Sequence, residues 1–487
     1  MKTHITLFML ILAISCFNSA QAQSDDEPFF TGLEFNQKYD TILAVPMMMT
    51  RSYSAMPSAY SLKKYCPTPR NQGRQGSCVG WSSTYAGRTI LHARKKGWTN
   101  QATITSNAFS PSYTYNQIKL SSDCSQGSYI SSAMNVLQKQ GAPKLAEHPY
   151  ACNQAISSRD KSNANPHKIK AYHRLSYDAN NKNKTLNNIK KSLSNGNPVI
   201  IGMSAYASFT YAKGVWNGSQ DNFRGGHAMT IIGYDDNKYG GSFEIMNSWG
   251  TTWGNGGFIW VRYNDMYKNC KEYYEMVGYA SAPAPNNDKS KPVTKRKKYD
   301  LNGSFKLVKS NGRKMYATLA KNATRDFNIV KKGNNTASTY KLNSAQRSGT
   351  EFQIHISNNE PAYVYLIGYG TTSRKVSALY PFDGFSAYLG YKKNDIAIPS
   401  EDYYVALDNK KGKDYLCVLY SKKPLNIKNI ARKIQNQSGS FSDKVKKVLG
   451  SQIVKGSNIE FDKNNIKFKA ASNGKTIVPM ILEFDHI

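Results

Sequence analysis

The chain has little that would place it in a membrane. Past its N-terminus, no part of the 487-residue sequence is an apolar run of the roughly 20 residues that a transmembrane helix needs. The chain also lacks an internal repeat at the periods typical of solenoids or propellers. These absences exclude an integral membrane protein and a repeat protein.

Acidic residues are scarce. The sequence has 32 Asp and Glu against 65 Lys and Arg, which gives a net charge of +33. A surplus of this size permits contact with nucleic acid, an anionic polymer or a membrane surface. The simpler interpretation is the solvated basic surface of a secreted protein. Hydrophobic residues make up 40% and charged residues 20% of the chain. That balance excludes a chain that is disordered throughout.

The first 22 residues have the pattern of a secretory signal. Lys2 precedes an apolar stretch at 5–17, and Ala20-Gln21-Ala22 resembles a signal-peptidase site, which predicts cleavage after about Ala22. The alternative is a lipoprotein acylated at Cys16, although Ala13 departs from the leucine that is usual three residues earlier. Both interpretations predict a protein that is secreted, periplasmic or on the cell surface, under oxidising conditions.

The rest of the sequence divides by composition. The length predicts roughly two to four domains. We predict an N-terminal extension at 23–55, an α+β unit at 56–280 and a β-rich unit at 300–487. The intervening 281–299 contains three prolines and a Lys-Arg-Lys-Lys block, which is typical of a linker and is also a plausible site of proteolytic processing.

Helix signals come first in the unit at 56–280, and strand signals follow. This order is typical of an α+β fold with two halves rather than a doubly wound sheet. The predicted helices are 78–96, 130–140 and 186–194, and the predicted strands are 198–204, 229–234, 242–246 and 257–262.

Three segments of this unit carry residues suited to nucleophilic chemistry. Cys78 lies where a glycine-containing loop enters a helix, and the partial positive charge of a helix N-terminus favours a thiolate. His227 begins a strand and is the candidate acid and base that would pair with it. Asn247, at the end of the next strand, could orient the imidazole. Trp249 could keep water off that hydrogen bond.

Gln72 completes the set. Its side-chain amide and the backbone N–H of Cys78 would together form an oxyanion hole. Nucleophile, base, orienting residue and oxyanion donor are the groups that acyl transfer requires.

These segments resemble the papain family of cysteine peptidases. The order Cys78, His227, Asn247 agrees with that family, and the motifs are Asn71 to Ser82, Gly225 to Tyr234 and Met246 to Gly257. The resemblance covers about residues 56–280. It implies a fold of a helical lobe and an antiparallel β lobe with the active cleft between them. It also implies that Cys78, His227, Asn247 and Gln72 have the catalytic roles given above.

The resemblance further implies that Gly127 lines the groove for the substrate backbone, and we predict Trp249 as a second substrate-binding residue. It implies a disulfide between Cys124 and Cys152. The sequence departs from the family in having Val79 after the nucleophile and Gln126 in place of a glycine, which leaves the subsite preference open. No long helical propeptide precedes Ser61, so the control of latency is also open.

Cysteine is rare, with seven in the chain. Cys16 belongs to the predicted signal, and among the other six cysteines Cys78 is better suited to act as a thiolate than to form a disulfide. An odd number remains for disulfides, so at least one further thiol should be free. Cys270 lacks its usual partner, and Cys66 is a candidate for it.

The eight histidines show no ligand spacing with cysteine, so we predict neither a metal nor another cofactor.

The C-terminal unit alternates short β-branched and aromatic stretches with turns, which predicts a β-sandwich or barrel with Cys417 on a buried strand. Residues 351–425 resemble an uncharacterised β-domain found beside caspase-like and papain-like domains in bacterial secreted proteins. Predicted strands are 352–356, 362–369, 376–380, 395–399 and 415–420, followed by helices at 427–434 and 441–449. The basic surface suggests an anionic polymer as a possible partner. No nucleic-acid-binding motif accompanies the charge.

The sequence therefore predicts a secreted bacterial peptidase that cleaves proteins or peptides through a thioester acyl-enzyme. An acyltransferase or deamidating effector with the same triad is the first alternative, since the sequence does not distinguish water from an amine as acceptor. A non-catalytic binding protein is the second.

Overall fold

The computed structural model describes residues 29–54, 56–177, 181–278, 299–320, 338–391 and 394–487. The predicted signal at 1–22 and nearly all of the predicted linker at 281–299 lie outside these residues. Within the described ranges, no helix combines the length and the apolar character needed to cross a bilayer.

The helices gather in the first half of the chain. The first, α1 at 78–96, runs without a break through an α-helical turn, a π-helical stretch and a second α-helical stretch, and Gly97 ends it with φ 71°. This helix confirms the sequence prediction for 78–96. The other helices are α2 Gln101–Ser106, α3 Pro111–Tyr115, α4 Ile130–Lys139, α5 Ser158–Ala164, α6 Lys182–Ser194, α7 Ala207–Thr210, α8 Tyr263–Asn269, α9 Ile427–Gln435 and α10 Phe441–Leu449, and short 3₁₀ turns occur at Tyr39–Thr41, Thr50–Ser52, Lys63–Tyr65, Asn165–His167, Lys238–Gly240, Gly450–Gln452 and Gly456–Asn458.

The first unit contains one eight-stranded sheet in the order β2-β8-β3-β5-β6-β7-β4, with β1 paired to β5. All of its pairings are antiparallel except that of β4 with β7. The strands are β1 Ala59–Ser61, β2 Ala171–Arg174, β3 Val199–Tyr206, β4 Val215–Trp216, β5 Phe223–Asp235, β6 Ser242–Met246, β7 Phe258–Arg262 and β8 Cys270–Val277.

The apolar residues of the first unit pack in two clusters. One lies within the sheet half and contains residues of β3, β5, β6 and β7 together with Trp81 and Tyr85 of α1. The other lies in the helical half and joins Val79 of α1 to residues of α4 and to Ile200 of β3. Helix α1 therefore supplies side chains to both cores, because it is buried on every side from 78 to 93. This placement holds Cys78, its first residue, between the two lobes.

The C-terminal unit is built of two seven-stranded sheets. The first has the order β17-β13-β9-β21-β20, with β10 and β18 paired at its sides; the second has the order β11-β12-β22-β19-β14-β15, with β16 beside β14. The strands are β9 Leu301–Lys309, β10 Lys314–Met315, β11 Ala317–Leu319, β12 Ser338–Leu342, β13 Glu351–Asn358, β14 Ala362–Gly370, β15 Val376–Tyr380, β16 Tyr388–Leu389, β17 Asn394–Ile398, β18 Val405–Ala406, β19 Gly412–Ser421, β20 Ile459–Phe461, β21 Lys467–Ala470 and β22 Ile477–His486.

The two sheets pack face to face around one core, to which β9 and β13 contribute from one side and β14, β19 and β22 from the other. On the opposite face of the second sheet, α9 and α10 cover a further apolar cluster that includes Cys417. The unit therefore has three layers, with the helices outermost. The overall α+β class and the C-terminal β-sandwich agree with the sequence prediction, and the helices supply a layer that strand patterns alone do not show.

The structure joins Cys124 to Cys152, which is the pair that the resemblance implies. Cys66, Cys78, Cys270 and Cys417 are free and buried. The candidate pairing of Cys66 with Cys270 is therefore wrong: the Cys66 thiol contacts the carbonyl oxygen of Leu62, while that of Cys270 contacts the carbonyl oxygen of Gly202. Burial raises the pKa of the Cys270 thiol to about 12 and that of Cys66 further still, so both are inert.

Removing the disulfide with the double variant Cys124→Ala/Cys152→Ala is expected to lower the free energy of unfolding by about 3–4 kcal/mol, because the bond closes a loop across 28 positions. Urea unfolding measures the change. A reducing agent should destabilise the parent protein by the same amount and leave the double variant unaffected. Equal stability of the two oxidised proteins would contradict the prediction.

An N-terminal segment, residues 29–54, connects the two units. Its first part crosses the first unit, and its second part contacts both units. Ala44 forms bridges with Arg174 of the first unit and with Phe385 of the second, and Met48 forms a bridge with Ile396 at the edge of the first C-terminal sheet. The described part of the predicted extension, residues 29–54, is therefore a structural element that packs on both units.

The two units also contact each other directly. The His173 imidazole is hydrogen-bonded through Nδ1 to Glu275 Oε1 (2.9 Å) and through Nε2 to Ser386 Oγ (3.0 Å). Tyr391 donates its hydroxyl hydrogen to the other oxygen of Glu275. Lys170 Nζ donates to the Tyr388 hydroxyl at 2.9 Å. Because His173 and Glu275 are buried, the interface is a closed polar contact rather than a loose surface touch.

Candidate active site

Cys78 is the first residue of α1 and has no exposed surface. Its Sγ accepts the backbone N–H of Ala228 at 3.4 Å. Ala228 follows His227 on β5, so this bond ties the head of the helix in one lobe to the central strand of the other. The nucleophile predicted from the sequence is thus placed next to the predicted base, at the junction of the lobes.

The imidazole of His227 is held on one side. Its Nε2 lies 2.7 Å from Asn247 Oδ1. The same Oδ1 accepts the backbone N–H of Ser248 at 2.7 Å, so this atom of the amide is an oxygen and the imidazole must donate from Nε2. Nδ1 then carries the lone pair in the neutral ring, and it has no hydrogen-bond partner among the described residues. His227 is therefore oriented as a base whose free nitrogen is Nδ1.

Trp249 covers the His227–Asn247 pair. Its ring stacks on the imidazole with centroids 4.5 Å apart and an angle of 21° between the planes. Phe209 and Trp253 pack edgewise or tilted around the indole, and all three rings are buried. Water is excluded from the hydrogen bond between Nε2 and Oδ1, which strengthens that bond. Trp249 therefore shields the His227–Asn247 pair in this closed structure.

Gln72 is buried in the loop that precedes α1. Ser248 donates its hydroxyl hydrogen to Gln72 Oε1 at 2.7 Å, and Gln72 Nε2 donates to the carbonyl oxygen of Gln75 at 2.9 Å. The backbone N–H of Gln72 also donates to the carbonyl oxygen of Ser248 at 2.9 Å. These bonds fix the amide and leave one of its two N–H hydrogens for another acceptor.

Ser248 was missed by the sequence analysis. It lies between Asn247 and Trp249, and it holds Gln72 through both its hydroxyl and its carbonyl oxygen. Its backbone N–H fixes the Asn247 amide. One residue therefore connects the orienting group to the proposed oxyanion donor. The signal for this role in the sequence was the position of Ser248 between Asn247 and Trp249.

The cleft between the lobes is filled by the chain's own residues. The backbone N–H groups of Gly32 and Leu33 donate to the carbonyl oxygen of Gly226 at 3.1 and 2.9 Å. From the other lobe, Ser128 N–H donates to the carbonyl oxygen of Gly32 at 3.0 Å, and Glu34 N–H donates to that of Ser128 at 3.1 Å. Residues 29–36, which we call the cleft strand, are thus bonded to both lobes, with isolated β-bridges from Leu33 to Gly226 and to Ser128.

Two further contacts fix the start of the cleft strand. Trp249 Nε1 donates to the carbonyl oxygen of Phe30 at 2.7 Å, and the Phe29 ring stacks on the outer side of the indole with centroids 5.0 Å apart. Leu33 belongs to the same buried cluster as Cys78. The cleft strand therefore excludes solvent from the cysteine and the shielded histidine together.

Glycines make this close fit possible. A Cβ on Gly32 would lie 2.2 Å from the carbonyl oxygen of Gly76, and a Cβ on Gly127 would lie 2.0 Å from that of Gly32. Neither contact is tolerable, so the cleft strand fits only because both positions lack side chains. In this structure the neighbour of Gly127 is the cleft strand, and the role of Gly127 in binding a substrate backbone stays a prediction.

Burial sets the ionisation of the closed site. It raises the pKa of the Cys78 thiol to about 12, although the N–H groups of Ala228 and Val79 oppose it. It lowers the pKa of His227 to about 4 against the opposing effect of the Asn247 bond. Near pH 7 both groups are therefore neutral. Burial therefore opposes the thiolate expected at the helix N-terminus, because a charged pair is poorly stabilised away from solvent.

Two family models match parts of the chain. Residues 57–284 match the papain family of cysteine proteases. Residues 346–424 match a domain of unknown function, DUF4384. The first match spans the first unit, and the second covers the middle of the β-sandwich.

Curated relatives match part of the chain. Cathepsin K of Mus musculus is 28% identical over 211 residues, which are 42% of this chain and 59% of the cathepsin. Ananain of Ananas comosus is 30% identical over 194 residues, which are 39% of this chain and 50% of ananain. The chain thus spans little more than half the length of these curated relatives.

Among solved structures, the chain is similar to xylellain, a cysteine protease from Xylella fastidiosa. The two are 20% identical and superpose with a TM-score of 0.42. The match covers 52% of this chain and 97% of xylellain.

Proposed function

We propose that this protein is a cysteine peptidase that hydrolyses peptide bonds of protein substrates after export from the cell. The observation that supports it best is the fixed tautomer of His227: Asn247 holds its Nε2–H, and Nδ1 has no hydrogen-bond partner among the described residues. The next residue, Ala228, donates its N–H to Cys78 Sγ. The imidazole can remove the thiol proton only through the nitrogen that carries the lone pair, and in this tautomer that nitrogen is Nδ1. The export part of the proposal rests on the residue pattern at 1–22 and on a disulfide suited to an oxidising compartment.

The proposed reaction has two steps. Nδ1 of His227 takes the Cys78 proton, Sγ attacks the carbonyl carbon, and the resulting imidazolium protonates the leaving amine. A thioester remains on Cys78. Water then gives a proton to His227 and attacks the thioester, which releases the carboxylic acid and restores the thiol. The free N–H of Gln72 and the backbone N–H of Cys78 would stabilise the oxyanion in both steps.

The closed structure is a latent form in this proposal. A substrate would need the backbone groups of Ser128 and Gly226, and both are already bonded to the cleft strand. Catalysis therefore requires the cleft strand to leave. An opened form can be made by inserting the recognition sequence of a specific protease between Gln37 and Lys38, which are both exposed, and cutting there.

In the opened form, Gln72→Ala is expected to lower kcat by about 10²-fold, since one donor to the oxyanion is lost. KM should change little, because the oxyanion forms only in the transition state. Hydrolysis of a fluorogenic peptide measures both constants. Gln75→Ala, in the same loop, is the matched control and should retain kcat. A change confined to KM would contradict the role assigned to Gln72.

A further inference from the structure

The C-terminal unit has a cavity of about 420 Å³ on the outer face of its first sheet, far along the chain from the catalytic residues. Strands β9, β13, β17 and β21 form its floor. The loop at 462–466 and Arg51 of the N-terminal segment form its walls. The volume is within the usual range for pockets that bind small ligands.

Strand register places polar side chains across the floor. Lys467 of β21 is opposite Ser304 of β9, which is opposite Ser357 of β13, which is opposite Asp395 of β17. Because these residues are paired across adjacent strands, they lie in one row on the same face. Two residues further along, Lys306 of β9 is opposite His355 of β13, which starts a second row.

His355 provides an unused acceptor in this floor. Gln353 Nε2 donates to the carbonyl oxygens of Ser400 and Glu401, both at 2.9 Å, so Gln353 Oε1 is the oxygen that faces His355 Nε2 at 2.9 Å. His355 must then donate from Nε2, which leaves a lone pair on Nδ1 in the neutral ring. Burial, with Arg51 and Lys306 nearby, lowers the pKa of His355 to about 4, so the ring is neutral at pH 7.

The His355 Nδ1 atom has no hydrogen-bond partner among the described residues, and the side chain is only 7% exposed. A buried acceptor without a donor is costly. A ligand that offers a hydroxyl hydrogen would satisfy it. A fully ionised inorganic anion would not, since it has no hydrogen to donate.

The charges of the cavity favour an anion. Four basic residues line it against two acidic ones, and both acidic groups are engaged: Asp395 pairs with Arg51 at 2.8 Å, and Asp462 accepts the backbone N–H groups of Asn464 and Asn465 at 2.9 Å. Lys306 and Lys467 have no hydrogen-bonding or ion-pair partner within 4 Å among the described residues. Their ammonium groups are therefore available to a carboxylate.

We propose that this cavity binds an acidic saccharide, with a sugar carboxylate between Lys306 and Lys467 and a sugar hydroxyl that donates to His355 Nδ1. The remaining hydroxyls have Ser304 as a partner along the polar row. A nucleotide fits less well, because the one aromatic residue of the lining, Phe305, is 3% exposed and offers no face for stacking. Since Arg51 forms part of the wall, the cavity is complete only while the N-terminal segment is docked.

The test is isothermal titration of the full-length protein with a trimer of α-linked galacturonic acid. A neutral trimer of galactose and a uridine dinucleotide serve as comparison ligands. The acidic trimer is expected to bind at least about tenfold more tightly than either. Absence of binding at millimolar concentration, or tighter binding of the dinucleotide, would overturn the proposal.

Two variants separate the cavity from the general basic charge. Lys306→Gln/Lys467→Gln should weaken binding of the acidic trimer by about tenfold or more, because both carboxylate contacts are lost. Lys410→Gln/Lys411→Gln removes the same charge from exposed positions in the same unit and should leave the affinity within about twofold. Equal weakening by both pairs would show that only bulk charge attracts the ligand and would overturn the site. His355→Phe removes the acceptor and should weaken binding of the acidic and the neutral trimer alike.

Discussion

Cys78→Ala in the opened form should abolish peptide hydrolysis, with a fall in kcat/KM of roughly 10⁴-fold or more, because it removes the thiol that would form the thioester. The assay is digestion of a diverse peptide mixture under reducing conditions, read by mass spectrometry. The cut positions would also report the subsite preference that the sequence leaves open. Product masses distinguish hydrolysis from transfer to an added amine.

The matched control for this variant is Cys417→Ala. It makes the same chemical change at a buried free thiol in the C-terminal core. It should retain the activity of the opened parent, after unfolding measurements confirm that both variants are folded. If the Cys78 variant cleaved the mixture as fast as this control, the peptidase proposal would fail, and the binding alternative would gain support.

Gly32→Ala is expected to release the cleft strand and expose Cys78, because the added Cβ would lie 2.2 Å from the backbone oxygen of Gly76. In the intact parent, burial raises the pKa of Cys78 to about 12 and so leaves almost no thiolate at pH 7.5. A solvated cysteine with an ordinary pKa near 8.5 is about one tenth thiolate at that pH. Alkylation of Cys78 by iodoacetamide should therefore accelerate by about 10³-fold in the variant.

Peptide mapping by mass spectrometry measures this rate at Cys78 and, as internal references, at the buried thiols Cys66, Cys270 and Cys417. Gly312→Ala is the matched control, since a Cβ there meets nothing within 4 Å. It should react as slowly as the parent. The opened form should react at least as fast as Gly32→Ala and should also gain peptidase activity. A parent protein that is alkylated as fast as the opened form would show that the cleft strand does not protect the thiol.

Local patterns predicted much of the fold. The helix at 78–96 ends at Gly97 as expected, because glycine adopts the left-handed conformation there without strain. The predicted strand at 242–246 and the predicted helix at 441–449 have the observed bounds. Strands β9 and β22 were not predicted, although both run through the C-terminal core. Buried and partly exposed residues alternate along β9. Its polar face carries the cavity residues Ser304 and Lys306, and what surrounds them depends on β13, β17 and β21.

The sequence by itself determined which residues could perform the chemistry. Local sequence patterns place a thiol at the start of a helix, a histidine on a strand and an amide after the next strand. The order of these residues can be read directly from the sequence. Only the tertiary structure decided the state of that chemistry. The cleft strand lies 45 residues before Cys78 along the chain, counting from Leu33, and its effect depends on hydrogen bonds to Ser128 and Gly226 that no local pattern encodes. Its burial of the site reverses the expected ionisation of Cys78, because the pKa of a thiol follows its solvation more strongly than its position on a helix.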